Sequence, residues 1–524
     1  MPLRDVHVVW FKRDLRVADH AALSAACEAG PVLPLFIWAP QVWSAEDASL
    51  SQAMFVRECL QGLADALQQL GLHLHVYHHD PLTLLQRLHA KFGIAGLYSH
   101  EETGNHHTYT IDRQVQAWCR MQGIVWQEWP QNGVVRRLSD RQQWQAQWAL
   151  RMQAPVIAVP ASGLAVRLPD HGLERLPAVA GHAQAERQVG GIGMAEAVMA
   201  DFLTRRVHGY QRGISSPLSA VQACSRLSPY LAWGAVSLRT VVQATRARAQ
   251  QTENVQQRRQ LHSFESRLHW HCHFMQKLES EPRIEHQSFY RGFEALQSRL
   301  PDAGVALRLQ AWQAAQTGWP LVDACMQMLN QSGWLNFRMR AMLMSTASYL
   351  LQLPWRPSGL HLASAFVDYE PGIHWPQVQM QSGTTGINTL RIYHPVKQAL
   401  TQDPQGVFVR QWLPVLRQVP DSWIFEPWRM PPSLQRRYGC LIGRDYPMPM
   451  VDIGEAIQTA KQDWFAIRQT MPAHAVADIL QRHASRKSRH FPKVDRGSLR
   501  KKSNRSAASV SAQSLAASQL SLQF

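Results

Sequence analysis

The sequence has no apolar run near the roughly 20 residues that span a bilayer, which argues against a membrane protein. It also has no C-x-x-C pair. The seven cysteines, at 27, 59, 119, 224, 272, 325 and 440, are odd in number and scattered, so neither a disulfide framework nor a zinc site of the usual spacing is expected. No charged-then-apolar leader is visible. Met1–Asp5 runs straight into the strand-like Val6-His7-Val8-Val9-Trp10-Phe11, from which we expect a start that is part of the fold and a cytoplasmic protein. No G-x-G-x-x-G follows that first strand, so a nucleotide is not expected at its first turn. His269, His271 and His273 alternate, but on a helix residues two apart point about 200° from each other and do not converge on a metal.

What is present describes a globular protein: 524 residues, 45% hydrophobic and 18% charged. That length exceeds one ordinary core and implies two folded domains plus a less ordered part. The net charge of +16 points toward nucleic acid, yet Arg482–Phe524 holds ten Lys and Arg against one Asp, so the rest of the chain carries only a mild basic bias.

Val6–Phe11, Val32–Trp38, Leu72–Tyr77 and Gly96–Ser99 read as strands, separated by helical patterns at Ala21–Gly30, Phe55–Leu70 and Thr108–Met121. This predicts a doubly wound α/β domain over 1–130. Residues 131–193, with four prolines and Gly190-Gly191-Ile192-Gly193, read as an interdomain connection. An all-α domain is expected over 194–480, with helices at Met194–Val207, Arg239–Met275, Ala311–Asn330 and Leu335–Leu351. The basic, Ser-rich stretch 481–524 reads as disordered.

Five segments carry chemistry. Trp10-Phe11-Lys12-Arg13-Asp14-Leu15-Arg16 follows the first strand. Cys224-Ser225-Arg226-Leu227-Ser228-Pro229 offers hydroxyls and backbone N–H groups at a helix start, which suits a diphosphate. Thr317-Gly318-Trp319-Pro320-Leu321-Val322-Asp323-Ala324 leads to Gly333-Trp334-Leu335-Asn336-Phe337-Arg338-Met339-Arg340, where arginines two apart need different partners. Val367-Asp368-Tyr369-Glu370, and Arg391-Ile392-Tyr393-His394-Pro395 with Phe408-Val409-Arg410-Gln411-Trp412-Leu413-Pro414, complete the set. Together and in this order, they resemble the motifs of the photolyase and cryptochrome family.

The resemblance implies FAD in the helical domain, with Tyr210, Cys224, Ser225, Arg226, Leu227, Ser228, His271, Arg340, Asp368, Tyr369, Glu370 and His374 around it. Cys224 stands where the family most often has Thr. An Arg340–Asp368 pair is expected to help settle the charge of reduced flavin. Trp355 matches the middle member of the family's three electron-relay tryptophans. The inner position falls on Val378, and Trp375 is a candidate substitute. His374, where photolyases keep an Asn against flavin N5, is expected to bond N5 or to change protonation near neutral pH.

In Arg267-Leu268-His269-Trp270-His271, Trp270 falls on the tryptophan that stacks against a flipped-out pyrimidine dimer, while Arg267 and His271 replace the family's Glu and Arg. Met380 replaces a second stacking tryptophan and Phe337 an Asn. Arg267, Trp270, Arg338, Met380 and Arg391 are the expected DNA contacts. His106-His107 lies in a segment where some relatives hold a folate antenna, so a second chromophore, folate or deazaflavin, is an open expectation. The resemblance implies a monomeric, light-dependent enzyme that splits cyclobutane pyrimidine dimers in double-stranded DNA by electron transfer from reduced FAD. The altered pocket keeps a second reading open, a cryptochrome-like photoreceptor without repair.

Overall fold

The computed structural model describes residues 5–170, 172–296 and 303–483. Of the tail expected over 481–524, everything from 484 onward lies outside the described residues. The first three residues of that tail belong to a helix, Ala473–His483.

Five parallel strands, β1 (Val6–Phe11), β2 (Val32–Trp38), β3 (His75–His78), β4 (Ile94–His100) and β5 (Val125–Trp129), form one sheet in the order β3-β2-β1-β4-β5. The order reverses between β1 and β4, so the crevice beyond their carboxyl ends holds Lys12–Arg16 and the segment after His100. Helices α1 (Ala21–Ala29), α2 (Leu50–Gln69), α3 (Pro81–Phe92) and α4 (His106–Gln122) cross the sheet. Their starts are written in side chains: Ser49 and Gln52 form a capping box for α2, Asp80 caps α3 ahead of Pro81, and Asn105 caps α4. Strand β5 and helix α3 go beyond the sequence reading. The connection also contains a helix, α5 (Trp144–Gln153), which buries Trp144, Trp148 and Met152 on one face.

The second half is helical: α6 (Ile192–Thr204), α7 (Leu238–Gln251), α8 (Val255–Ser280), α9 (Pro320–Ser332), α10 (Phe337–Ser345), α11 (Trp355–Ala365) and α12 (Pro371–Gln381) frame it. The single helix expected over Arg239–Met275 is two, because the chain turns extended at Thr252 and Asn254 and the Asn254 side chain caps α8. The helix expected over Ala311–Asn330 likewise divides, with Pro320 starting α9. Helix α10 ends in a π turn, Thr346–Leu350.

The two halves meet backbone to backbone. Leu15 N–H donates to Trp233 O and Arg16 Nη1 to Gly234 O, both at 3.1 Å. Gly234 has φ +65°, and a Cβ there would sit 2.3 Å from Arg13 O, so no other residue fits. Beside it three indoles stack: Trp38 on Trp43 at 4.0 Å, and Trp43 on Trp233 at 5.9 Å, both within 12° of parallel. The Arg13 guanidinium lies 4.5 Å from the Trp233 ring centre.

Candidate functional site

The site has a cationic wall. Arg206 donates to the carbonyls of Cys224 and Ser225, fixing the turn from behind, and Arg226 enters the left-handed region at φ +62° with its guanidinium 3.9 Å over Trp334. Arg340 donates through both terminal nitrogens to Asp368, at 3.0 and 2.7 Å, and through Nε to Leu335 O. Arg267 donates to the Tyr210 hydroxyl. Burial pushes the Cys224 thiol up to about 11, against the pull of these four guanidinium groups. Arg226 is brought down to about 10 by burial, with Asp368 opposing and Arg340 and Arg206 adding repulsion. Ser225 Oγ accepts the Leu227 N–H at 3.4 Å, and Ser228 opens a helix of only five residues, Ser228–Ala232. Tyr210 closes this end, packed edge-on against Phe202 and Phe264.

Facing it is an aromatic and neutral wall from the chain after α11. Asp368 is followed by Tyr369, whose hydroxyl donates to Asp47 Oδ2 at 2.7 Å and whose ring meets His374 edge-on at 5.3 Å. Arg13 reaches across from the α/β half to Tyr369 O at 3.2 Å and Glu370 Oε2 at 3.4 Å. Burial nevertheless raises the Glu370 carboxyl to about 7, with Arg13 opposing. His374 Nε2 lies 2.9 Å from Gly359 O, and burial lowers its pKa to about 4. It is therefore neutral near neutral pH, contrary to the expected switch, because burial without a paired carboxylate disfavours imidazolium. Trp375 packs 5.0 Å from His374 and 5.9 Å from Trp355, both indoles being fully buried. Trp375 is one turn before Val378 on α12 and so shares its face.

Arg267, Trp270 and His271 stand at i, i+3 and i+4 of α8 and share one side of the helix. Trp270 is half-buried against His273 and Phe274. His271 lines a water-sized cavity of about 20 Å³ with Arg16, Met275 and Glu370. Its Nδ1 and Glu370 Oε1 are both buried without a partner, and burial lowers the His271 pKa to about 4. His269 and His273 share a face and both pack on Trp144, while His271 points away into the small cavity, so the three do not converge. Phe337 is 46% exposed, Arg338 keeps a buried Nε without a partner, Met380 is half-buried near the end of α12, and Arg391 is exposed. No contact joins these last four to the two walls among the described residues.

Two neighbouring features complete the picture. Asp14, His20 and His100 place ligand-type atoms within 4.8 Å of one another. His20 Nδ1, however, accepts the Leu23 N–H, so its proton sits on Nε2, 3.1 Å from Asp14 Oδ2, while His100 Nδ1 lies 2.7 Å from the same oxygen. A protonated Nε2 is a donor and not a ligand, which makes the triad a clamp on the loop after β1. Further along, Asn105, His106, Tyr109, Arg136 and Glu279 help line a cavity of about 390 Å³ between α4, β5 and the end of α8.

The donor set fits FAD. Four guanidinium groups gather around Cys224, Arg340 paired with Asp368 and Arg206 with Asp201, and they suit a diphosphate; the buried, partnerless Trp375 Nε1 is a polar atom that a polar-edged flat ring system can engage. Sequence reasoning missed Arg206 and Asp47. Arg206 carries no motif, and Asp47 lies 322 residues from its partner Tyr369.

Two family models match: "DNA photolyase" over residues 7–143 and "FAD binding domain of DNA photolyase" over 264–466, together more than half of the chain. The chain is 28% identical over 488 residues to the deoxyribodipyrimidine photo-lyase of Escherichia coli, covering 86% of this chain and 97% of that protein. It is 26% identical to cryptochrome-2 of Arabidopsis thaliana, covering 86% and 77%. Its fold is similar to the crystal structure of a bacterial class III photolyase from Agrobacterium tumefaciens, with TM-score 0.78, 24% identity, and 90% and 99% of the two chains covered.

Proposed function

Because the chain belongs to the DNA photolyase and cryptochrome family, we propose that it is a light-dependent lyase that splits cyclobutane pyrimidine dimers in double-stranded DNA, acting as a monomer. The observation that carries this reading is the shared face of Arg267, Trp270 and His271 on α8, which sets a stacking surface beside a cationic wall. FAD, when bound and fully reduced, supplies the light-driven electron that opens the cyclobutane ring.

The chain's own residues do the rest. Arg226 and Arg267 hold the diphosphate end, Arg206 braces the turn from behind, and Tyr210 closes over it. The Arg340–Asp368 pair keeps one fixed cation at the ring, and His374 and Glu370 add no net charge of their own while the imidazole is neutral and the carboxyl protonated. Trp270 stacks on the flipped-out bases while Arg338 and Arg391 contact the phosphates. Trp375 and Trp355 relay electrons inward to restore the reduced state. A second chromophore, folate or deazaflavin, occupies the 390 Å³ cavity beside Asn105.

The test is repair of a thymine-dimer oligonucleotide by chemically reduced protein, dark against blue light. Light-dependent repair supports the lyase. Bound flavin without repair favours the second reading, a photoreceptor, for which the exposed Phe337 and the Met380 substitution speak because both remove polar or stacking contacts from the lesion side.

A further inference from the structure

Tyr369 links the ring wall to the α/β half through a carboxylate of that half. Its hydroxyl donates to Asp47 Oδ2, which also accepts Asn105 Nδ2 at 2.9 Å. Both Tyr369 and Asp47 are buried, and no Lys or Arg pairs with Asp47 among the described residues. As a mere anchor a carboxylate is a poor choice here, because both of its donors are neutral and an amide or hydroxyl oxygen would accept the same bonds. A carboxylate at hydrogen-bond distance from a phenol does one thing that an amide cannot, which is to take the proton.

We infer that Tyr369, with Asp47 as its proton acceptor, is a redox-active donor to the flavin bound at Asp368. Light-excited oxidised flavin takes one electron from the phenol; the phenolic O–H breaks, its proton moves to Asp47 Oδ2, and a neutral tyrosyl radical faces a neutral carboxylic acid. Electron return restores both, and an added thiol reduces the radical when the flavin is to stay reduced. Position favours the step: Tyr369 follows Asp368 directly, and its ring touches His374, which touches Trp375. The phenol does not ionise first, since burial and then Asp47 push its pKa well above the ordinary value, so the proton does not leave ahead of the electron.

The inference rests on flavin binding at this site and is independent of DNA repair. The experiment uses the full chain with its flavin, without oxygen, under a blue pulse, read by transient absorption and electron paramagnetic resonance. The expected result is a tyrosyl signal in the wild type that Tyr369→Phe abolishes. Asp47→Asn still accepts the hydroxyl hydrogen bond but is no base, and is expected to lower the radical yield roughly a hundredfold, as loss of a positioned proton acceptor does, at unchanged flavin content. An equal yield in Asp47→Asn, a tyrosyl signal that survives Tyr369→Phe, or flavin-loaded wild type with no tyrosyl signal overturns the inference while leaving the flavin site intact. Protein that binds no flavin overturns both.

Discussion

The two walls of the site are built on opposite principles. Around Cys224, guanidinium groups are tied down by backbone carbonyls and two carboxylates, Asp201 on Arg206 and Asp368 on Arg340, so charge is fixed and the turn is rigid. From Tyr369 to Trp375, burial favours the neutral form of the ionisable groups and the contacts are edge-on rings. One wall binds by charge that never changes; the other leaves the electron and the proton as the quantities that move.

The contrast breaks most severely if Arg340 is removed. Arg340→Ala leaves Asp368 buried with no bidentate partner, and because Arg340 is itself partly exposed the expected loss is about 2 kcal/mol, between the values for surface and buried pairs, with most of the flavin lost. Flavin content and thermal unfolding check it. Gly372→Ala attacks the other wall alone: its Cβ would lie 2.8 Å from Met275 Cα, forcing α12 off α8 at a cost of about 1–3 kcal/mol. Photoreduction is expected to slow more than flavin affinity falls, and equal effects on both would mean the walls are not separable.

Arg267→Glu sharpens the comparison. It restores the family's acid, changes the charge of the first wall by two units and is expected to weaken flavin binding on the order of a hundredfold, as two unit charges at intermediate dielectric do, while raising affinity for dimer-containing DNA. Flavin titration and a gel-shift assay read the two effects. The smallest effect is pH-linked. Glu370 sits at about 7 when folded against an ordinary 4.5, so the folded form holds a proton that the unfolded form releases across that interval. Its contribution is full below pH 4.5 and is lost as pH rises through 7. His374 acts in the opposite sense: its contribution is present above 6.5 and is lost as pH falls through about 4. Urea midpoints of wild type minus Glu370→Gln should therefore fall between pH 4.5 and 7, and a flat difference refutes the buried, protonated carboxyl.

The doubly wound first half and the helical second half were legible because β1 and β2 are apolar runs, and because the later helices carry clear periodicity. Strand β5 was not, since Val-Trp-Gln-Glu-Trp at the sheet edge is half-exposed and has no continuous apolar run. Helix α5 was hidden by the prolines that follow it, although Trp144, Trp148 and Met152 keep its period. At the site, motif order pointed to Arg340 and Asp368. It could not point to Asp47 on Tyr369 or Arg13 on Glu370, because such pairs are made by the fold bringing distant segments together.

The three stacked indoles at the seam have a further consequence. Parallel rings at 4.0 and 5.9 Å are close enough for their excited states to mix, so Trp38, Trp43 and Trp233 act as a coupled optical unit. Two of them belong to the α/β half and one to the helical half. Trp38 on Trp43 couples within the α/β half, so the part of the near-ultraviolet circular dichroism expected to report the joining of the halves is the Trp43–Trp233 coupling alone.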